Sequence, residues 1–422
     1  MENLNQIIKQ FPEVGEVKEV KALTSGLINQ TYLVKTVDPQ EADYVLQRIN
    51  HQIFTDIDML QHNIEVVTGH IRKKLEAQNE TDIDRKVLRF LPATDGKTFY
   101  YDGEGYWRVS VFIPRSQTLE AVTPDSSYLA GLKFGEFQAM LADVPEQLGE
   151  IIPDFHNMEF RMKQLREAVA TNAAGRLSEV QDIVDAIEKD ADEMCSAERL
   201  FREGKLPKRI CHCDTKVSNM LFDEDGKVLC VIDLDTVMPS FIFSDFGDFL
   251  RSAANTGKED EKDLNNVRFN MEIFKAFAKG YIESARSFLT PVEIEMLPYA
   301  ATLFPYMQAV RFLADYINGD TYYQTKYEGH NLVRTKAQYK LYLEAKAAVP
   351  EMKAYIAHFK KDYQQENKWY QNDFMYHFEA LLDDLVSIAI SYHHLKDYRS
   401  TEYTLMKSLS IIDLICKDEE II

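Results

Sequence analysis

Cysteine, tryptophan and basic charge are all scarce in this chain. Five cysteines in 422 residues (Cys195, Cys211, Cys213, Cys230 and Cys416) form an odd, scattered set. That excludes a disulfide-built scaffold and points to reduced thiols. No apolar run approaches the ~18 residues that a membrane-spanning helix needs. Residues 1–16 (MENLNQIIKQFPEVGE) have neither the basic start nor the apolar stretch of a secretory leader. A cytoplasmic protein with no membrane partner is the expectation. Lys plus Arg number 48 against 68 Asp plus Glu, a net charge of −20. So acidic a chain lacks the basic footprint of a nucleic-acid binder and would be repelled by an anionic membrane surface. A phosphate-bearing ligand would have to be attracted locally, by individual Lys or Arg side chains, metal ions or helix N-termini. Internal repeats and low-complexity tracts are also missing.

What is present is an ordinary globular composition, 45% hydrophobic and 27% charged, long enough for two or three domains of about 150 residues. The pattern changes near residue 113. Before it, Val17–Leu23, Thr31–Val34, Tyr44–Ile49, Val87–Leu91, Thr98–Tyr101 and Tyr106–Ile113 read as strands, rich in β-branched and aromatic residues. Ile57, Leu60, Ile64, Val67 and Ile71 recur at helical spacing and predict one helix among them. After Pro114 the periodicity predicts helices over Tyr128–Leu141, Met162–Thr171, Leu177–Arg202 and Val267–Arg286. The exception is Arg209–Asp235, where short β-like runs flank polar turns. The expected architecture is α+β and two-lobed: a small β-rich lobe over 1–113 and a large helical lobe over 114–357. Ligands often bind where two such lobes meet.

The insert reads His212-Cys213-Asp214-Thr215-Lys216-Val217-Ser218-Asn219, followed by an apolar strand ending in Asp233. H-x-D-x-K-x-x-N with a later Asp has the spacing of a protein-kinase catalytic loop and its metal-binding carboxylate. Phosphoryl transfer explains the residue types. Asp214 can orient an attacking hydroxyl and take its proton. Asn219 and Asp233 offer the oxygen ligands that magnesium prefers. Lys216 can offset charge on the transferring group. His212 is expected to brace the loop rather than react. A zinc reading of Cys211-x-Cys213 fails, because the usual ligand spacing and a second pair are missing.

In the front lobe, Gly26 within Thr24–Asn29 allows a flap to approach phosphates closely, although an ordinary hairpin turn fits the same residues. Arg48 ends a β-run where kinases place a phosphate-binding base. Glu65 lies on the next helix, where the ion-pair partner of that base would sit.

These stretches resemble the aminoglycoside phosphotransferase and choline kinase superfamily, and within it the N-acetylhexosamine 1-kinases. The resemblance runs through Ile28–Val34, Tyr44–Gln47, His212–Lys216, Ile232–Pro239 and Asp245–Asp248. It continues through Glu259–Leu264, Arg311–Tyr316, Gly319-Asp320 and His330–Arg334. It implies a protein-kinase-like fold and the transfer of phosphate from ATP, with Mg2+, to the anomeric hydroxyl of N-acetylglucosamine or N-acetylgalactosamine. By position Asp214 corresponds to the base, Asn219 and Asp233 to the magnesium ligands, and Arg311 to a sugar-contacting arginine. An ion pair of Arg311 with Asp315, four residues on, is the structural alternative. The chain departs from the family pattern at Leu27, usually polar, and at Cys213, usually Asn. A kinase of another small alcohol (an aminoglycoside, a choline-like amine, a different sugar) and a catalytically silent nucleotide-binding regulator are the competing readings.

Residues 358–422 lie beyond the resemblance. Phe374, Phe378, Leu381, Leu382, Leu385 and Ile388 form one apolar stripe and Leu405, Leu409, Ile412 and Ile415 another. They predict a helical extension packed on the large lobe or on a second copy in a homodimer.

Overall fold

Alternation of side chains along the early strands builds an antiparallel five-stranded sheet in the computed structural model, which describes residues 2–23, 28–119 and 122–359. The strands are β1 (Val17–Leu23), β2 (Gln30–Thr36), β3 (Tyr44–Ile49), β4 (Tyr100–Tyr101) and β5 (Tyr106–Val111), in the order β1-β2-β3-β5-β4. Ile7, Ile8 and Phe11, at and just after helix α1 (Glu2–Ile8), pack with Leu46, Trp107 and Val109 on one face. The opposite face of β3 and β5 carries Gln47 and Arg108, which are register partners. Helix α2 (Ile57–Ala77) is capped by Asp56. Its Asn63 donates to the carbonyls of Gly149 and Val237, both at 2.9 Å. The strand expected over Val87–Leu91 reduces to a single bridge, Phe90 to Ser110. A one-turn helix, α3 (Ile83–Lys86), precedes it.

The helical lobe begins with α4 (Pro124–Leu141) and α5 (Met158–Thr171). Both start earlier than apolar periodicity indicates, because polar caps set their ends: Thr123 in a capping box, and Asn157. The long helix expected over Leu177–Arg202 is broken into α6 (Gln181–Met194) and α7 (Ser196–Arg202), with Cys195 at the joint. Short strands follow: β6 (Arg209–Cys211), β7 (Met220–Phe222), β8 (Val228–Val231) and β9 (Met238–Ser240), paired β6–β9 and β7–β8. The remaining named helices are α8 (Phe243–Ala253), α9 (Met271–Ala285), α10 (Pro291–Glu295) and α11 (Leu297–Asn318), and a further helix covers 330–359.

Helices α4 and α9 make their closest approach through glycine. A Cβ on Gly131 would stand 2.2 Å from the Phe277 carbonyl oxygen, and one on Gly280 2.2 Å from that of Tyr128. Side chains here would force the helices apart. The close fit carries Gln138 of α4 and Tyr281 of α9 to the same buried point beneath β6, where the Tyr281 hydroxyl bonds the Gln138 amide oxygen. Phe246, Phe249, Phe274 and Phe277 fill the surrounding core, Phe249 stacking on Phe277 at 4.0 Å.

Met1–Ile356 is one compact unit, so the lobes divided at 113/114 are parts of one body. Residues 360–422, including both expected helical stripes, lie outside the described residues. Among the described residues no helix is long and apolar enough to cross a membrane.

Candidate active site

The loop between β6 and β7 holds His212 to Asn219, and α8 suspends it. Asp245, wholly buried, accepts from the amides of His212 (3.0 Å) and Cys213 (2.8 Å) and from the Gln138 side chain (2.7 Å). The Thr215 hydroxyl donates to the Asp245 carbonyl at 2.6 Å, and the Thr215 amide to Asp248 at 3.2 Å. Burial pushes the Asp245 carboxyl up, against the pull of these donors. Cys213 has φ +63°, a left-handed conformation that a non-glycine residue adopts at a cost of roughly 1–2 kcal/mol. That strain is held by the bonds to Asp245. Among the described residues no three acidic, His or Cys side chains are grouped to hold a metal ion. Burial raises the Cys211 and Cys213 thiols well above the ordinary range.

His212 is fully buried. Its Nδ1 accepts from the Asp214 amide (3.3 Å) and its Nε2 lies 2.9 Å from the Ile232 carbonyl. This pattern assigns the proton to Nε2 and gives the ring the bracing role expected of it. Its partner Ile232 immediately precedes Asp233, so the ring ties the His212–Asn219 loop to the segment that carries Asp233.

The structure brings Asp214, Lys216 and Asn219 into contact. Lys216 Nζ lies 2.6 Å from one Asp214 oxygen, and Asn219 donates to the other at 3.2 Å and to the Asp214 carbonyl at 2.8 Å. Burial alone would lower the Lys216 ammonium, but the Asp214 carboxylate raises it, so the side chain stays charged. Asp233 follows β8 in a left-handed conformation, φ +61°. Burial first, then the carboxylates of Asp235 and Asp214, push its carboxyl up to about 6, with His212 and Arg108 opposing. Asp233 and the Asn219 carboxamide are oxygen donors of the kind a hard divalent cation takes, and such a cation would offset the repulsion that Asp235 and Asp214 exert on Asp233.

Arg48 and Glu65 are not brought together. Pleating puts Arg48 opposite Trp107, over whose ring its guanidinium sits at 5.7 Å, on the face away from Gln47. Glu65 accepts from the Thr98 hydroxyl at 2.5 Å. The cation reaching the catalytic lobe is Arg108 of β5, paired with Asp235 at 2.6 Å, both side chains at most 5% exposed. Gln47 accepts from Arg108 at 2.8 and 3.0 Å and Gln61 of α2 at 3.2 Å. Asn29 completes the ring by donating to Asp235 at 2.6 Å. Sequence reasoning missed Arg108, whose only signal was a charged residue inside an apolar strand. Gly26 lies outside the described residues.

Arg311 lies in α11 between the rings of Phe155 and Tyr323, each 5.6 Å from its guanidinium carbon, and donates to Gln308 at 3.3 Å. The alternative pairing with Asp315 does not form. Asp315 accepts from the amides of Thr321, Tyr322 and Tyr323 at 2.8–3.0 Å and from Asn331 at 2.8 Å. Arg311 therefore keeps its charge free of any carboxylate among the described residues. Asn331 also bonds Asp320, which pairs with Arg176 at 2.6 Å. His330 bonds Asp260 at 3.1 Å. Much of the late stretch of resemblance thus forms a buried knot that shapes the turn after α11.

The phosphotransferase enzyme family matches residues 19–281, well over half of the chain. The chain belongs to that family. Among solved structures, an aminoglycoside phosphotransferase from Alicyclobacillus acidocaldarius is similar at 13% identity and a TM-score of 0.55, covering 84% of this chain and 96% of that one. An amicoumacin kinase in complex with AMP-PNP, Ca2+ and Ami gives 14% and 0.52, covering 81% and 93%. A choline kinase from Cryptosporidium parvum gives 15% and 0.51, covering 83% and 96%. The fold is kinase-like: an N-terminal antiparallel sheet followed by a mostly helical region.

Proposed function

We propose that this phosphotransferase uses Mg2+-ATP to phosphorylate the anomeric hydroxyl of an N-acetylhexosamine, N-acetylglucosamine or N-acetylgalactosamine. The observation that carries the phosphotransfer is the contact of Asp214 with both Lys216 and Asn219. The relative solved with AMP-PNP and a divalent cation supports the nucleotide and metal. The sugar assignment rests on the resemblance of the Arg311–Asp320 and His330–Arg334 stretches, together with an unpaired guanidinium suited to amide and hydroxyl oxygens.

Asp214 accepts a hydrogen bond from the acceptor hydroxyl and receives its proton as that oxygen bonds to the γ-phosphorus of ATP and the bond from this phosphorus to the β–γ bridging oxygen breaks, with ADP as the leaving group. Lys216 pairs with Asp214 and places an ammonium beside the developing charge. Asn219 and Asp233 would hold the magnesium ion, which neutralises phosphate charge when bound. The Arg108–Asp235 pair is a positioning element, held by Gln47, Gln61 and Asn29. Arg311 orients the acceptor through its guanidinium fork.

ADP release is to be measured with N-acetylglucosamine, N-acetylgalactosamine, glucose, galactose, choline and kanamycin. Turnover confined to the two N-acetylhexosamines, with phosphate on the anomeric carbon, is the expected result. Turnover only with another alcohol would keep the transfer chemistry and overturn the sugar. No turnover with any of them would overturn the sugar assignment and favour a silent regulator.

A further inference from the structure

A cavity of about 180 Å³ opens beside β9, helix α7 and the N-terminal end of α5, and none of Asp214, Lys216, Asn219 or Asp233 lines it. Glu198 of α7 does, with only 7% of its surface exposed. One carboxylate oxygen, Oε1, accepts from the Met158 amide at 2.6 Å; the other, Oε2, is buried with no hydrogen-bond partner. A second lining residue, His156, has its Nδ1 buried and equally unpartnered. Burial, with the charges of Arg311, Arg161 and Arg251, holds that imidazole well below its ordinary range. The ring is therefore neutral near pH 7, and Nδ1 is an acceptor when the proton sits on Nε2.

An unpartnered buried carboxylate oxygen costs free energy unless something donates to it. The two cations of the lining are already engaged, Lys208 with Glu150 at 2.6 Å and Arg202 with Glu159 at 2.7 Å, while Arg161 behind it donates to the Phe155 carbonyl at 2.7 Å and has a buried Nε without a partner. The walls are aromatic. Phe155 stacks on His156 at 4.3 Å, and Phe201 meets Phe241 edge-on at 5.8 Å. Among the described residues no cluster suits a metal ion. Two unpartnered acceptors, a lining with more carboxylates than cations, and ring faces together describe a host for a compact donor with positive charge and an apolar body.

We propose that this cavity is a second ligand site, apart from the phosphorylated hydroxyl, that takes a small organic ammonium ion on Glu198. The ammonium donates to Glu198 Oε2 and its carbon body lies against Phe155, Phe201 and Phe241. Glu198 supports this assignment: burial, with Glu159 adding, pushes its carboxyl up to about 7, against the Met158 amide and Arg202. A bound cation would favour the ionised form. Cys195, one turn away, stays a neutral thiol, held up to about 12 by burial and by Glu198 itself.

The test is calorimetric titration of the full-length protein with benzylammonium and with benzyl alcohol, its uncharged counterpart, at about pH 8. Benzylammonium is expected to bind at least ~10-fold more tightly than the alcohol. Its affinity should fall as pH drops from about 8 to 6, because Glu198 takes up a proton. Glu198→Gln should weaken it by ~10-fold or more, while Asp214→Asn leaves it unchanged. That last arm separates this site from the phosphotransfer reading, which can fail independently. Equal binding of the alcohol, an unaltered Glu198→Gln, or no binding up to roughly 50 mM would each overturn the proposal. The last outcome would mean that the cavity holds water. If Glu198→Gln does not fold, the pH series on the unaltered protein still decides.

Discussion

Arg108 on β5 and Asp235, two residues beyond Asp233, form a buried ion pair at 2.6 Å that joins the front sheet to the catalytic segment. Gln47 and Gln61 accept from Arg108, and Asn29 donates to the second Asp235 oxygen. Truncating one partner leaves the other charge buried and alone, so Arg108→Ala is expected to cost about 3–5 kcal/mol. Urea denaturation followed by far-UV circular dichroism measures it. A loss below ~1 kcal/mol would mean that water reaches Asp235 and that the pair is not a lobe-joining element.

Asp214→Asn should leave nucleotide affinity largely intact and reduce turnover by ~10²-fold or more. The isosteric amide retains the contact with Asn219 but cannot take a proton. Single-turnover kinetics with saturating acceptor separate the two effects. Undiminished turnover would remove Asp214 from the base role.

The two residues of the Arg311/Asp315 spacing should behave differently. Arg311→Ala is expected to raise the acceptor KM by ~10-fold or more with a smaller change for ATP. Asp315→Asn should act chiefly on stability, because four donors converge on that carboxylate. Equal effects of Arg311→Ala on both substrates would make the guanidinium structural.

The metal-free protein should lose stability as pH rises from about 4 to 6, because Asp233 holds its proton longer folded than unfolded. Its raised carboxyl favours the folded state at low pH, and that contribution disappears as pH passes about 6. Glu198 adds a slope of the same sign that extends to about 7. Comparison with Asp233→Asn isolates the Asp233 share, read from thermal melts across pH. Magnesium affinity should rise over the same interval, since ionised Asp233 binds the cation. A melt profile identical in Asp233→Asn would remove Asp233 from this role.

Much of the site was legible because its parts are close in the chain. His212 to Asn219 occupy one loop, and the residue type at each position speaks directly to phosphotransfer. Strands β1 to β3 were legible for a related reason, since a half-buried sheet imposes alternation on the sequence. Arg108 was not, because its meaning depends on pairing across a sheet register some 60 residues away (Gln47 with Arg108). Arg48 misled for the same reason: one step along β3 moves a side chain to the other face. Helix α11 is buried on nearly every side, so no polar stripe marks its periodicity. The break at Cys195 interrupts a continuous amphipathic pattern that carries no glycine or proline to announce it.

Suspension of the catalytic loop from Asp245 has a consequence for how the protein fails on heating. The carboxylate that shapes the loop is also the meeting point of α4, α8 and, through Tyr281, α9. The loop cannot loosen without opening the aromatic core beneath it. Inactivation and global melting should therefore coincide at a single temperature, and the active centre should have no earlier softening of its own.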